Sequence, residues 1–360
     1  MALVLTKIEE LDMRTTDKLQ GFLCVFEIPD FVKPWIDRFF EEIEIDLVMR
    51  LANRPLTRKE INRAFISRFK PDPSDANSDL TTRAYRKGII NLRDDNRYEP
   101  ADFHARFDKW AMFEGWKDIP DEIRNQLNAW ELFYYERQHA DQISNLKKGQ
   151  ARELSLIYPE YILLHEAEAL LDLAMHIYLM PCNCRSMMNK CTQSVYTCLR
   201  FENDRGVGWE ISNSRAKEIV NLANKKGLMQ SGEVGIADDG SINGAICNCC
   251  VDCCFPHQLA EQQGAAKFWP LTRYVAGHLD ERCTSCGKCV RRCPFKAFKF
   301  GDTKNMLQSA SGAAKQAKRS ILYDRNRCRG CGVCSTGCPE DAIEMIRLEH
   351  VESAWESRLG

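Results

Sequence analysis

Two cysteine runs constrain this chain more than any other feature: Cys283-x2-Cys286-x2-Cys289-x3-Cys293-Pro294 and Cys328-x2-Cys331-x2-Cys334-x3-Cys338-Pro339. A tight turn with thiolates three residues apart can cap three corners of a cubic iron–sulfur core. Two such runs, each ending in Cys-Pro, form the ligand pattern of a pair of [4Fe–4S] clusters. The fourth cysteine of each run, just before proline, is expected to open a helical stretch that points back toward the other cluster. The expected pairing is therefore crossed. Cys283, Cys286, Cys289 and Cys338 would hold one cluster, and Cys328, Cys331, Cys334 and Cys293 the other. Zinc sites usually come as two CxxC pairs, and disulfides do not explain the repeated prolines.

Run for run, this pattern resembles the bacterial dicluster ferredoxins, over roughly the last fifth of the chain. The internal repeat extends past the ligands. CPFKAFKF matches CPEDAIEMI, each expected as a short helix leading to a strand, and Gly287 and Gly332 fall where backbone must approach a cluster. Between the halves, Gly301–Ser320 is rich in Ser, Ala, Gly and Lys and reads as a surface loop. Its Lys304, Lys315, Lys318 and Arg319 either guide an acidic partner or are simply solvated. Lys288, Arg291, Arg292, Arg327 and Arg329 lie within the ligand loops. Positive charge there favours the more negative, reduced cluster and raises its potential.

Nine further cysteines precede this region. Cys182, Cys184, Cys191 and Cys198 follow a helix expected over 162–177, and Cys247, Cys249, Cys250, Cys253 and Cys254 follow another over Ser214–Gly227. Four thiolates suffice for one more [4Fe–4S] cluster and eight for two, so these residues are ligand candidates for at least one additional cluster. Zinc is the less favoured occupant, and surplus thiols can be redox-active or merely buried. The order helix–PCxCR–x6–C–x6–C–helix–CNCCxxCC resembles larger anaerobic ferredoxin-like proteins in which a cysteine-rich module precedes the dicluster domain. That likeness spans about 160–345. His257 is a possible odd ligand, and Cys24 reads as a buried apolar residue.

The N-terminal third reads as a winged helix-turn-helix. An apolar-faced helix runs from Phe39 to Leu51, Thr57 caps a second over Arg58–Phe65, and Pro71–Asp79 is a polar loop. A third helix, Leu80–Lys87, stops at Gly88 before a hairpin wing over Ile89–Pro100. Arg83, Arg86, Lys87, Arg93 and Arg97 could meet phosphates, and Thr81, Thr82 and Arg83 could reach bases. Asp94, Asp95, Glu99 and Asp102 oppose that use, so protein docking is preferred over DNA. The aromatics Phe107, Trp110, Phe113, Trp116, Trp130, Phe133, Tyr134 and Tyr135 recur at helical spacing and are expected to form an interhelical core or a homodimer surface.

The expected architecture is therefore multidomain and mainly α with small α+β parts. It comprises a winged-helix-like domain (1–104), an aromatic helical segment (105–155), a helical Cys-rich metal module (156–278), a ferredoxin-like dicluster domain (279–347) and a tail (348–360). With 50 Lys and Arg against 51 Asp and Glu, net charge points to neither nucleic acid nor membrane. MALVLTKIEE shows no signal peptide, and His165, Glu166, Glu168, Asp172 and His176 interrupt the most apolar stretch. The reading is a cytoplasmic protein of a reducing, anaerobic cell. No GxGxxG or P-loop is present, which disfavours a self-contained flavin or nicotinamide reductase. Electron transfer between donor and acceptor enzymes is the leading function. A redox-sensing regulator that reads DNA is the alternative, and an enzyme with an open-coordination cluster ranks third.

Overall fold

The computed structural model describes residues 17–70, 78–150, 157–301, 320–349, 351–352 and 355–356. The chain divides into two units, Met1–Tyr134 with Asp204–Val207, and Tyr135–Asn203 with Gly208–Gly360.

The first unit is helical. Its helices are α1 (residues 17–25), α2 (Ile36–Phe39), α3 (Glu42–Asn53), α4 (Arg58–Phe65), α5 (Leu80–Arg86), α6 (Phe103–Phe113) and the first half of α7 (Asp121–Lys147). Local chemistry sets the boundaries. Thr57 and Glu60 form a reciprocal capping box that starts α4, and Asp79 accepts from the Thr81 and Thr82 amides to start α5. Beyond α5, β1 (Ile90–Leu92) pairs antiparallel with β2 (Tyr98–Pro100), and Asn96 takes the positive φ of the turn. Phe39, Phe103, Phe107, Trp110, Trp116 and Trp130 stack through successive ring contacts. Phe113 and Phe133 are exposed, so the aromatic segment is core along one face only. Buried Arg106 donates to the Phe39 carbonyl at 2.7 Å and forms a bidentate pair with Glu114 at 2.5 and 2.7 Å.

The second unit holds a six-stranded antiparallel sheet that the sequence reading did not anticipate. The piece expected to be helical contains β3 (Glu160–Tyr161), β4 (Tyr178–Pro181), β5 (Tyr196–Arg200), β6 (Trp209–Glu210), β7 (Met229–Ile236) and β8 (Ile242–Cys249). Their spatial order is β3-β7-β8-β5-β4-β6. The molecule is therefore mixed α/β rather than mainly α. MQSGEVGI in β7 lacks the β-branched, alternating signature of a strand because both its faces are covered. Gly244 pairs with Val234 at φ +88, where a Cβ would overlap the Glu233 carbonyl oxygen.

Helices α8 (Leu164–Leu173) and α10 (Asn213–Lys225) cover one face of this sheet. Leu170, Leu171, Ala216, Ile219 and Val220 pack there on Leu199, Val234 and Ile246. Strand period then fixes the other face. Cys198 neighbours Leu199, and Cys247 neighbours Ile246, so these thiols and Cys249 point away from the aliphatic layer. The short helices α9 (Asn183–Met188) and α11 (Phe255–Gln262) follow Cys182 and Cys254, each cysteine standing as N-cap.

Two two-stranded ladders complete the unit. β9 (Tyr274–His278) pairs with β12 (Ile343–Arg347), and β10 (Phe298–Phe300) with β11 (Ile321–Tyr323). Between them, α12 (Lys288–Arg292) ends at Cys293. The fourth cysteine of the first run therefore closes a helix instead of opening one. A turn with Lys296 at φ +53 leads into β10, and Asp341 at φ +48 repeats it before β12. Among the described residues no helix is long and apolar enough to cross a membrane. The Gly301–Ser320 insertion, with its four basic residues, lies almost wholly outside the described residues, as do 71–77 of the polar loop and residues 1–16.

Candidate metal centres

The two ferredoxin-type runs fold into two thiol-lined cavities. Cys283, Cys286, Cys289 and Cys338 line the first, together with Gly287, Lys288 and His278. Cys293, Cys328, Cys331 and Cys334 line the second, with Gly330, Gly332 and Phe298. The local geometry repeats 45 residues apart. The amides of Ser285 and Gly330 donate to the sulfurs of Cys283 and Cys328 at 3.4 and 3.5 Å. Those of Ala297 and Ala342 donate to Cys293 and Cys338 at 3.3 Å. At Gly330 (φ +67) a Cβ would overlap the Tyr274 carbonyl oxygen, so only glycine fits this ligand loop.

All-sulfur donor sets with amides aimed at the sulfurs suit iron–sulfur clusters, whose potentials depend on such hydrogen bonds. Burial raises the Cys289 thiol to about 11 and the Cys331 thiol to about 12, so metal must displace protons on binding. The cavities differ in access. Cys286 is exposed in the first set, whereas Cys331 and Cys334 are buried in the second.

Residues 282–343 match the model of the 4Fe-4S dicluster domain. No curated protein matches the chain. The dicluster domain supports iron–sulfur electron transfer as the chemistry of this part of the chain.

Upstream of the dicluster domain, the nine additional cysteines separate into two groups. Six lie in a circuit: hydrogen bonds link Cys184 to Cys182, Cys182 to Cys198, then Cys247, Cys249 and Cys254 in turn, and Cys254 lies within electrostatic reach of Cys184. Cys182, Cys198, Cys249 and Cys254 are buried, and Cys184 and Cys247 partly so. Hydrogen bonds from the flanking thiols pull Cys182 and Cys247 well below the usual thiol range, and making those bonds pushes Cys184, Cys198 and Cys249 well above it. Tyr135 adjoins this circuit through Cys184 and Cys254, and its hydroxyl meets Glu233 at 3.3 Å. The other three, Cys191, Cys250 and Cys253, have sulfurs within 4.8 Å of one another. Hydrogen bonding from Cys253 lowers the Cys250 thiol to about 5.

The circuit and the dicluster domain share packing. Tyr161, Met229, Phe295 and Val333 form one apolar cluster with Cys249 and Cys254 of the circuit and Cys293 and Cys331 of the second cavity. Tyr161 and Phe295 meet edge-to-face at 5.5 Å. Tyr161 and Glu233 escaped the sequence reading because nothing near them in sequence ligates metal, and the sequence marks Tyr135 only as part of an aromatic core or dimer surface. The alternation Cys247-x-Cys249 was the available signal, since period two places both thiols on one face of a strand.

Other expected residues have different surroundings. Arg292 donates to the Val333, Asn224 and Lys225 carbonyls, each at 2.9 Å, so it joins α12 to the end of α10. Lys288, Arg291 and Arg327 are exposed. His257 lies against the Phe295 ring, outside the three-sulfur group. Cys24 is exposed rather than buried.

The proposed nucleic-acid face is largely neutralised within its own unit. Thr81 is fully buried and donates to Asn62, Thr82 donates to Asp79, and Arg83 pairs with Glu41. Lys87 meets Glu44 at 2.5 Å and Arg93 meets Glu99 at 3.0 Å. Arg205 donates to the Tyr85 carbonyl at 2.6 Å and lies over its ring. A DNA-reading regulator is not favoured by this arrangement.

Proposed function

We propose that this protein carries single electrons between separate redox enzymes as a non-catalytic carrier or electron-transfer subunit, working in the cytoplasm of an anaerobic cell. Its dicluster domain would hold two [4Fe–4S] clusters in the crossed sets, Cys283, Cys286, Cys289 with Cys338 and Cys328, Cys331, Cys334 with Cys293. The six-thiol circuit would hold a further iron–sulfur cluster. Bound there, such clusters supply reversible one-electron chemistry. The chain's own residues exclude water, donate amide hydrogen bonds to sulfur and set the spacing.

The observation that carries this reading is the shared apolar cluster around Tyr161 and Phe295, to which both the circuit and the second cavity contribute thiols. It supports a route in which the first cavity, with exposed Cys286, exchanges electrons with an outside partner, and the buried thiols pass them inward. The first unit, read as a winged-helix-like head, would dock a protein partner, because its basic residues already have acidic neighbours.

Anaerobic purification with iron and sulfide quantitation, followed by EPR of the dithionite-reduced protein, tests the proposal. About twelve irons or more per chain are expected, with coupled reduced-cluster signals. About eight would confine the clusters to the dicluster domain, and a chain without iron or acid-labile sulfide would overturn the reading.

A further inference from the structure

Cys191, Cys250 and Cys253 stand apart from the circuit and are spaced differently from the dicluster thiols. Among the described residues theirs is the sole group of three ligand atoms within 4.8 Å of one another. The Cys191 and Cys250 sulfurs are 3.6 Å apart although 59 residues separate them in sequence. Thiolates on one tetrahedral ion with bonds of about 2.3 Å lie about 3.8 Å from each other. Thiolates on different irons of a cube must lie farther apart, as in the two dicluster sets, neither of which contains so close a trio.

Charge gives a second, independent pointer. Arg185 is 2% exposed, and its guanidinium donates to the Ser194 carbonyl at 2.5 Å, the Thr197 hydroxyl at 2.8 Å and the Asn248 carbonyl at 2.9 Å, and also hydrogen-bonds the Cys250 sulfur. Its Nε–H meets no hydrogen-bond partner among the described residues, and no carboxylate pairs with it. A buried cation requires an anionic neighbour, and the sulfurs of Cys182, Cys250 and Cys191 act on its charge. A divalent ion with three thiolates carries one net negative charge, which a single arginine balances.

We propose that Cys191, Cys250 and Cys253 form a mononuclear zinc site, with Arg185 as its counter-charge and the fourth position taken by water. Zinc accepts three protein ligands plus solvent, and Cys191 and Cys250 are partly exposed, so solvent has access. The site pins the segment after α9 to the turn between β8 and α11. It does not rest on the electron-transfer proposal, since zinc and iron are counted separately.

The test is metal analysis of the anaerobically purified full chain and of its Cys191→Ser, Cys250→Ser and Cys253→Ser variants, with zinc and iron measured in the same samples. About one zinc per chain is expected, lost in each variant while iron and the reduced EPR signals persist. The zinc K-edge spectrum of the unaltered protein, which needs no variant to fold, should show three sulfurs near 2.3 Å. Iron falling together in the three variants would assign the trio to a cluster and overturn the proposal. So would an unaltered protein without zinc, or one whose Cys191 and Cys250 are recovered as a disulfide.

Discussion

Arg273 is fully buried and answers three carboxylates: Glu160 at 2.9 Å, Glu166 at 2.7 Å and Glu356 at 2.7 Å. Trp355 Nε1 donates to Glu160 at 2.7 Å and the Tyr274 hydroxyl to Glu166 at 2.8 Å. Replacing Arg273 by Met would leave the carboxylates buried and mutually repelling. That costs about 3–5 kcal/mol, and a fall in the denaturant midpoint of unfolding would register it. His104 makes a pH-dependent contribution. Burial opposes its charge, but the hydrogen bond and charge of Glu131 at 3.0 Å outweigh this and raise its pKa. The resulting stability is complete below the unfolded value of 6.5 and is lost as pH rises through the higher folded value. Burial also raises Glu131, which acts in the same direction. Thermal stability should therefore fall as pH rises above the unfolded value of 6.5, and the His104→Gln/Glu131→Gln pair should flatten that slope. At this scale the cysteines that line the two cavities were legible in the sequence, but burial was not. Exposed Cys24 and buried Arg185 both depend on neighbours supplied by distant segments.

Among elements, the ligand loops repeat but neither half closes a cavity alone. Cys338 ends the second run yet lines the first cavity, as Cys293 ends the first run and lines the second. Cys338→Ser should remove about four irons and the signal of the cluster whose other ligands lie in the first run. Loss of the cluster held by Cys328, Cys331 and Cys334 instead would reject the crossed assignment. Capping boxes, the hairpin turn and the 45-residue repeat could be read locally, because each is specified within a few residues. The six-stranded sheet could not. Its strands carry Gly, Ser, Glu and Cys at positions where neighbouring strands and helices supply the burial, so periodicity was too weak to reveal it.

At the scale of the whole molecule, the two cavities are unequal. Exposed Cys286 places the first in reach of oxidants, while Cys331 and Cys334 are shielded. Brief titration with ferricyanide or oxygen should abolish the EPR signal of the first cluster before that of the second. Simultaneous loss would mean that both are equally exposed. The dicluster region was legible from cysteine spacing. The grouping of nine thiols into six and three was not, since it depends on which loops come to lie beside Cys198, Cys247 and Cys249 on the sheet.

The β10–β11 ladder has a consequence for how this domain tolerates change. Phe300 faces Ile321 across the ladder, and the Gly301 amide donates to the Ser320 carbonyl at 2.9 Å, so both ends of the intervening segment are tied at one point. Every ligand cysteine lies outside that tie. Lengthening a segment with fixed ends raises its closure entropy only logarithmically, by about 0.6 kcal/mol per doubling. A tag, a reporter or a second binding module spliced between Gly301 and Ser320 would therefore burden the fold little, and a cut there would leave two fragments still zipped together around the same metal centres.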